Sequence, residues 1–300
     1  MPTGTSVESS VKINATTPEE ILFQHTVFCQ TVLPYRDPGP DVRIWEREQG
    51  NVKLFIEAGK AYDLSTHRLE KTGLPFGTAA RLILCHLNTE ALRTGCPVIE
   101  VERSMTAFVA RLQGFSPNGY QIRRFKDQLT RLSTSLIRLI VVQECHAVQI
   151  DTKIISTFDL WVEGFEGERF SFPQKIELGD KYFASLQEHA IPLDERAVAA
   201  LAHSAMALDV YTWLAQRLHR VDPQRGQFIP WIALHAQFGQ GYDRIRDFRR
   251  VFLGVLTVVK LQYPQACVKT DKGGLLLGHS LPPVPQRHII MLPEPISSKA

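Results

Sequence analysis

The sequence predicts a mainly helical α+β fold built from two tandem winged-helix domains, and three observations lead to this prediction. The chain nearly repeats itself, with GYQIRRF at Gly119–Phe125 and GYDRIRDF at Gly241–Phe248. Each copy opens a segment whose apolar residues step by three and four positions, which is typical of an amphipathic helix. Each copy also follows a helix–strand–helix pattern and precedes a pattern typical of a β-hairpin. That order of elements is the order of a winged helix.

The first predicted domain covers residues 60–185. Apolar residues at helical spacing, cap residues and short β-rich runs define its elements. In order, they are a helix in Gly73–Gly95, a strand at Cys96–Glu102, a helix at Met105–Gly114 begun by Ser104, the third helix at Tyr120–Leu139, and hairpin strands at Ile140–Glu144 and Ala147–Ser156. A strand leading into a helix at Phe170–His189 then connects the two domains.

The second predicted domain covers residues 186–281 and repeats this order. Its elements are a long helix within Ile191–Val221 capped by Asp194, a strand at Gly226–Pro230, a helix at Trp231–Gly239, the third helix at Tyr242–Gln262, and a hairpin at Ala266–Ser280 with its tip at Asp271–Gly274. With one residue inserted, the two third helices align at a constant offset that places Arg123 on Arg246. We therefore interpret the two domains as tandem copies of one fold.

Two flanking segments complete the predicted organisation. Residues 1–59 begin with a stretch rich in Ser, Thr and Pro and are predicted to form a partly flexible N-terminal arm. This arm is expected to contain a short helix at Glu19–Gln30 and a strand at Val52–Gly59. Residues 282–300 are predicted to be a proline-containing C-terminal tail.

Composition indicates a soluble globular protein, because 44% of its 300 residues are apolar and 22% are charged. The longest uncharged apolar runs are too short to cross a bilayer, and the N-terminus lacks the basic start and apolar run of a secretory signal. The five cysteines are widely scattered, which favours free thiols in a reducing compartment. We therefore expect a cytoplasmic protein that does not bind a membrane.

The distribution of charge points to nucleic acid, although the net charge is only +3. The segment Gly119–Arg138 carries five basic residues and one acidic residue, and Gly241–Lys260 carries five basic and two acidic residues. In a helix-turn-helix the second helix of the pair enters the major groove of DNA, where arginine can bind guanine and glutamine can bind adenine by two hydrogen bonds. The repeated basic helix is therefore predicted to contact DNA.

The predicted DNA-binding residues lie on the faces of the third helices opposite their apolar stripes, on the turns before them and in the last hairpin. For the two tyrosines the sequence leaves two uses open, a hydrogen bond to a phosphate or packing of the ring beneath the turn. The predicted residues are Tyr120, Gln121, Arg123, Arg124, Gln128, Arg131, Tyr242, Arg244, Arg246, Arg249, Arg250, Lys269 and Lys272. The alternative for the whole set is a solvated polar face.

No catalytic motif emerges from the sequence. The string GxxxxGK[ST] of an ATP-driven initiator, the His-x-His of a rolling-circle nickase and the His-x-x-Arg of a tyrosine recombinase are all missing. Cys85-His86 and Cys145-His146 are adjacent pairs rather than metal-ligand spacings. We therefore expect no catalytic residue, no metal and no cofactor, and predict that the protein is not an enzyme.

Several segments resemble one family of proteins. IPLDERAVAALAHSAMALDVYTWLAQRL at Ile191–Leu218, FIPWIALHAQFG at Phe228–Gly239 and LQYPQACVKT at Leu261–Thr270 resemble the C-terminal part of plasmid-encoded RepA-type replication initiators. The segments at Gly73–Gly95 and Phe108–Gly119 resemble the first unit of the same family. The resemblance covers roughly residues 60–280.

The resemblance implies a function that the spacing of residues does not reveal. Such initiators bind direct repeats in double-stranded origin DNA through tandem winged-helix domains, assist opening of the adjacent duplex and recruit host helicase and initiator proteins. The resemblance also makes a homodimer possible. The alternative is a transcriptional repressor with the same tandem domains, in which residues 1–60 bind a ligand or another subunit. A third possibility is an enzyme whose site the motifs do not reveal, and the residues alone do not separate the three.

Overall fold

A computed structural model describes residues 21–284 apart from 64–65, 102–106, 108, 111–117, 144–145 and 159–174. The helices in this part of the chain are α1 Thr26–Gln30, α2 Gly77–Thr94, α3 Gly119–Thr134, α4 Asp180–His189, α5 Glu195–Leu201, α6 Ala205–Arg217, α7 Trp231–Phe238 and α8 Ile245–Gln262. The strands are β1 Ile21–His25, β2 Ile44–Gln49, β3 Val52–Glu57, β4 Lys60–Asp63, β5 Arg68–Lys71, β6 Val98–Glu100, β7 Leu136–Gln143, β8 His146–Thr152, β9 Ile155–Phe158, β10 Lys175–Leu178, β11 Ala190–Asp194, β12 Gln227–Pro230, β13 Val268–Thr270 and β14 Gly274–Leu277. The α+β class predicted from the sequence is confirmed.

Two small sheets have the same strand order, which relates the two halves of the chain. One has the order β6-β10-β9 and the other β12-β14-β13, and both are antiparallel throughout. In each, the strand before the basic helix lies at one edge and the last strand lies in the middle. A long helix precedes each edge strand, α2 in the first half and α6 in the second. Most of the helix predicted at Met105–Gly114 lies outside the described residues, and the three described ones, 107, 109 and 110, are helical.

The hairpin predicted after the first basic helix belongs to a different sheet from its counterpart in the second half. The sequence predicts a helix to Leu139, but α3 ends at Thr134 and β7 begins at Leu136. Strands β7 and β8 extend a four-stranded antiparallel sheet of order β2-β3-β7-β8. The hydroxyl of Ser135 donates to the Arg131 carbonyl (2.6 Å), which ends the helix, and the β-branched run that follows favours a strand. The small three-stranded sheet instead receives β9, the end of the predicted second hairpin strand.

The N-terminal segment is buried where the sequence predicts a partly flexible arm. The sequence predicts a helix at Glu19–Gln30, but residues 21–25 form β1 and only residues 26–30 are helical. All five residues of β1 are buried, and β1 pairs with β11 from Ile21 opposite Asp194 to His25 opposite Ala190. A run of consecutive apolar residues suits a strand that is covered on both faces. The segment therefore lies in the core beside α2 and α6.

The long helix predicted within Ile191–Val221 is interrupted. Asp194 ends β11 and caps α5, its carboxylate accepting a hydrogen bond from the Arg196 amide (2.9 Å), as predicted. Helix α5 ends at Leu201, and the Ser204 hydroxyl caps the new helix α6 by accepting from the Ala207 amide (3.3 Å). A serine competes well for backbone amides at a helix start, and its cap stabilises the break.

A buried ion pair joins the two halves of the chain. Arg81 of α2 donates from Nε to Asp209 Oδ1 (2.6 Å) and from Nη2 to Oδ2 (2.7 Å), and both residues are buried. The remaining guanidinium hydrogens reach the carbonyl oxygens of Leu33, Pro34 and Gly77. Burial by itself lowers the pKa of Arg81, and the charge and hydrogen bonds of Asp209 outweigh that effect and raise it. All five donors of this guanidinium are therefore used inside the protein.

We predict that breaking this pair strongly destabilises the fold. Arg81→Ala leaves the buried Asp209 carboxylate without its ion-pair partner and is expected to lower the free energy of unfolding by about 3–5 kcal/mol. The double variant Arg81→Met, Asp209→Leu removes both charges and should recover a large part of that loss. Urea unfolding followed by circular dichroism measures both effects. Arg225→Ala, which truncates an exposed arginine, serves as the control, and equal stabilities of Arg81→Ala and this control would contradict the prediction.

A second buried polar contact involves His25 at the end of β1. Its Nδ1 accepts a hydrogen bond from the Val27 amide (3.2 Å), so the neutral ring carries its proton on Nε2, which donates to Ser185 Oγ (3.0 Å). The ring also stacks on Tyr182 at 5.5 Å between centroids. Burial, with a smaller contribution from His189, lowers the pKa of His25 to about 3. The folded state therefore holds His25 neutral.

We predict an acid-induced loss of stability that depends on His25. The unfolded chain takes up a proton near pH 6.5 and the folded chain does so only near pH 3, so stability falls as the pH falls between these values. Between pH 7.5 and pH 5 this residue should remove about 2 kcal/mol from the free energy of unfolding. The measurement is urea unfolding at both pH values for the wild type and for His25→Gln, which should lack this part of the pH dependence. The exposed His203 provides the control, and a His25→Gln slope equal to that of His203→Gln would refute the assignment.

Candidate DNA interface

Helix α8 presents a basic face to solvent. Phe248, Phe252, Leu256 and Val259 form its buried stripe. Arg246 and Arg250 are exposed on the rest of its surface, as is Arg244 directly before its first residue. None of these three side chains makes an ion pair or hydrogen bond within the described part of the chain. Their charges are therefore available to a ligand.

The turn before α8 is held by packing and backbone contacts. Gly241 has a φ of 80°, a left-handed conformation that glycine adopts without strain. The Tyr242 amide donates to the Gly239 carbonyl (3.0 Å), and its own carbonyl lies 2.7 Å from Nε2 of His235. The Tyr242 ring packs against Phe248 at 6.1 Å between centroids. The sequence left open whether this tyrosine binds a phosphate or packs its ring. In the structure its ring is packed against Phe248.

The first turn of α8 is suited to an anion. No side chain caps its amide groups, and Arg244 is the N-cap residue. Unpaired amides at a helix start carry partial positive charge and bind phosphate well. Asp247 is the acidic residue in this turn. Its negative charge opposes an anion there, whereas the basic side chains and the helix start attract one.

Arg249 fixes the last hairpin to α8. Its guanidinium lies over the Trp231 ring at 5.0 Å and donates to the Lys272 carbonyl (3.3 Å). Trp231 in turn donates from Nε1 to the Asp271 carbonyl (3.3 Å). Lys269 and Lys272 remain exposed on this hairpin. Arg249, which is also predicted to bind DNA, is partly exposed and makes contacts that hold the hairpin with the two lysines beside the helix.

Helix α3 begins differently from α8: it starts at its Gly-Tyr pair, whereas α8 starts only after its own. Asn118 accepts a hydrogen bond from the Gln121 amide, and Gln121 Oε1 accepts one from the Asn118 amide, both at 2.9 Å. This capping box starts the helix at Gly119, whereas α8 starts only at Ile245. The Asn-x-x-Gln spacing was a signal in the sequence for this cap. Gln121 is also predicted to bind DNA, and the Oε1 atom of its side chain is occupied by this capping box.

Three other predicted residues lie at the exposed start of α3. Tyr120 is 66% exposed, in contrast to its counterpart Tyr242. Arg123 and Arg124 are exposed, and Arg124 donates from Nη2 to Thr78 Oγ1 on α2 (2.9 Å). Arg123 also has an interaction within the protein. The start of α3 therefore displays one tyrosine and two arginines.

Two other predicted residues make contacts within the protein, and Gln128 is buried while Arg131 is partly exposed. Gln128 is 1% exposed because its Oε1 accepts from the Phe76 amide (2.7 Å) and its Nε2 donates to Asp127 (2.8 Å). Arg131 donates to Asp127 (3.1 Å) and Asp37 (3.0 Å) and lies over the Phe76 ring. Both side chains stabilise the fold around α3, and Gln128 has almost no surface left for a base to contact.

Within the described residues, no group of three or more His, Cys, Asp and Glu side chains could hold a metal ion. No helix in the same part of the chain is long and apolar enough to span a membrane.

Comparison with known proteins agrees with the architecture. Crystal structures of domains 2 and 3 of RctB match this chain at 12% sequence identity. A selenomethionine derivative matches with a TM-score of 0.50 over 85% of this chain and 98% of that one. A second RctB structure, spanning residues 155–483 of that protein, matches with a TM-score of 0.47 over 83% and 94%. At this identity the likeness concerns the fold alone.

Comparison with curated protein sequences gave no significant match. The sequence profile of the family described as "Plasmid encoded RepA protein" matches residues 74–232, more than half of the chain. This match includes α2, α3 and α6, and it ends at the second residue of α7, before the exposed arginines of α8. The resemblance noted in the sequence is thus confirmed, and the chain belongs to the family of plasmid-encoded RepA proteins.

Proposed function

We propose that this protein is a plasmid replication initiator that binds repeated origin DNA through two winged-helix units. The observation that carries the proposal is the exposed row of Arg244, Arg246 and Arg250 at the start of α8, beside the lysines of the last hairpin. Membership of the plasmid-encoded RepA family supports replication as the process. The cytoplasm, where plasmid DNA resides, is the proposed site of action.

The identification of winged-helix units rests on the repeated strand order. In each half an edge strand precedes the basic helix, and two later strands complete a three-stranded antiparallel sheet. The second half shows the full order, with α6, β12, α7, α8, β13 and β14 in sequence. We assign α8 and α3 as the helices that enter successive major grooves, with the β13–β14 hairpin touching a neighbouring phosphate through Lys269 and Lys272.

The remaining activities in this proposal follow from the role of an initiator. Binding to several direct repeats would assist opening of adjacent AT-rich DNA, and host helicase and initiator proteins would be recruited there. A homodimer is one proposed form of the protein. We propose that the protein does this without hydrolysing ATP or cutting DNA, since the motifs for both reactions are missing from the sequence.

We predict that arginines near the starts of the two basic helices contribute more to binding than an arginine on a strand. Arg246→Ala and Arg124→Ala should each cost about 1–3 kcal/mol on an origin repeat and relax the preference at one base position. Arg138→Ala is the control, because Arg138 lies on β7, pairs with Asp151 at 3.0 Å and is not on a basic helix. Fluorescence anisotropy on one repeat and on a scrambled duplex measures the difference. Unchanged affinity in both Arg124→Ala and Arg246→Ala would mean that these arginines are only part of a solvated polar face.

We predict further that the protein opens DNA beside its binding sites. On a supercoiled plasmid carrying the origin, footprinting should show protected direct repeats, and permanganate should react with thymines in a neighbouring AT-rich stretch. ATP turnover and nicking should stay at the level of a protein-free control. Protection of an inverted repeat with no permanganate reactivity would favour the repressor and contradict the proposal, and ATP turnover abolished by a point change in this chain would contradict its non-enzymatic part.

A further inference from the structure

The segment at residues 31–40, which follows α1, contacts both α3 and the turn before α8. The carbonyl oxygens of Leu33 and Pro34 accept hydrogen bonds from the buried Arg81, and the Pro34 carbonyl also accepts from the Gly77 amide (2.9 Å) at the start of α2. Prolines at 34, 38 and 40 restrict the backbone further. Its path is therefore set by the core of the protein.

The two residues on either side of Arg36 are each held by a different basic helix or its turn. On one side, the Tyr35 amide donates to Gln240 Oε1 (2.9 Å), in the turn before α8. On the other side, Asp37 accepts from Arg131 Nη2 of α3 (3.0 Å) and from the Gly39 amide (3.0 Å). The α-carbons of residues 35 and 37 can be at most about 7 Å apart. Arg36 is thus fixed where the first and second units approach each other.

The Arg36 side chain itself is exposed and makes no ion pair or hydrogen bond with any described residue. The adjacent carboxylate of Asp37 is already paired with Arg131. Arg124 lies nearby: a β-carbon placed on Gly77 would be 3.7 Å from the Arg124 Nη2 and 3.8 Å from the Tyr35 carbonyl oxygen. An exposed arginine without an internal partner among the described residues is therefore carried by a fixed backbone, and Arg124 approaches the residue before it.

We propose that Arg36 is a third DNA contact, binding the phosphate backbone between the segments of duplex touched by α3 and α8. The inference rests on the proposed function and adds a residue that lies on neither helix. A guanidinium binds phosphate oxygens through two parallel hydrogen bonds, and the anchored backbone means that little ordering is needed on binding. Because the contact is to phosphate, it contributes affinity that does not depend on base sequence.

The test uses full-length protein and a random-sequence duplex of about 40 base pairs, roughly four helical turns. Arg36→Ala should reduce the slope of log affinity against log salt by about 0.9, which is about a fivefold loss of affinity at 0.15 M salt. Arg36→Lys, which keeps the charge, should retain most of the affinity. Arg225→Ala removes one exposed arginine from the loop before β12 and is the matched control, expected to leave the slope unchanged.

The outcomes separate this inference from the proposed function. An Arg36→Ala slope equal to that of the wild type, with affinity still lowered by Arg246→Ala, would overturn the role of Arg36 and leave DNA binding intact. A wild-type protein that binds no duplex would overturn the proposed function. Since Arg36 has no internal hydrogen bond to lose, thermal unfolding of Arg36→Ala should match the wild type. Equal losses in Arg36→Ala and Arg225→Ala would show a general charge effect and also overturn the inference.

Discussion

The contact between Arg81 and Asp209 governs how the two halves of this protein meet. A guanidinium removed from water is stable only when its donors are used, and here two reach one carboxylate and three reach carbonyl oxygens. Two of those carbonyls belong to residues 33 and 34, so the pair also sets the path of the N-terminal segment. The position of residues 33 and 34 is therefore tied to the same buried charge that joins α2 to α6.

The arginines near the basic helices divide into two groups that look the same in the sequence. Arg131 and Arg249 bind carbonyls, carboxylates or aromatic rings of the protein, and thereby hold α3 and the last hairpin in place. Arg246 and Arg250 have no such partner within the described residues and keep their full charge for a ligand. A count of basic residues thus overstates the binding surface, since half-buried arginines often stabilise the scaffold that carries the exposed ones.

The two halves share a strand order but differ at the helices on which the proposed function depends. Helix α3 is capped by Asn118 and Gln121, which satisfies amides that α8 leaves without a side-chain partner. The first half also extends into a four-stranded sheet with β2 and β3, whereas the second half has a compact hairpin joined to α8. The start of α8 has more amide groups without a side-chain partner, so in the proposed function a phosphate would find more free donors there than at the start of α3.

The sequence alone determined the features that depend on neighbouring residues. Its apolar periodicity located α2, α7 and α8, Asp194 marked the start of α5, and the turn residues at 271–274 marked the last hairpin. Family membership was also visible in its segments. Only the tertiary structure decided where β1 and the β7–β8 pair would lie, because a strand pattern does not identify the strand that pairs with it. The same holds for polar side chains: Arg131 is bound by a carboxylate 94 positions away, and Arg81 by one 128 positions away. Local patterns act over a few residues, whereas the availability of an arginine for DNA depends on which distant groups the fold brings within hydrogen-bonding distance.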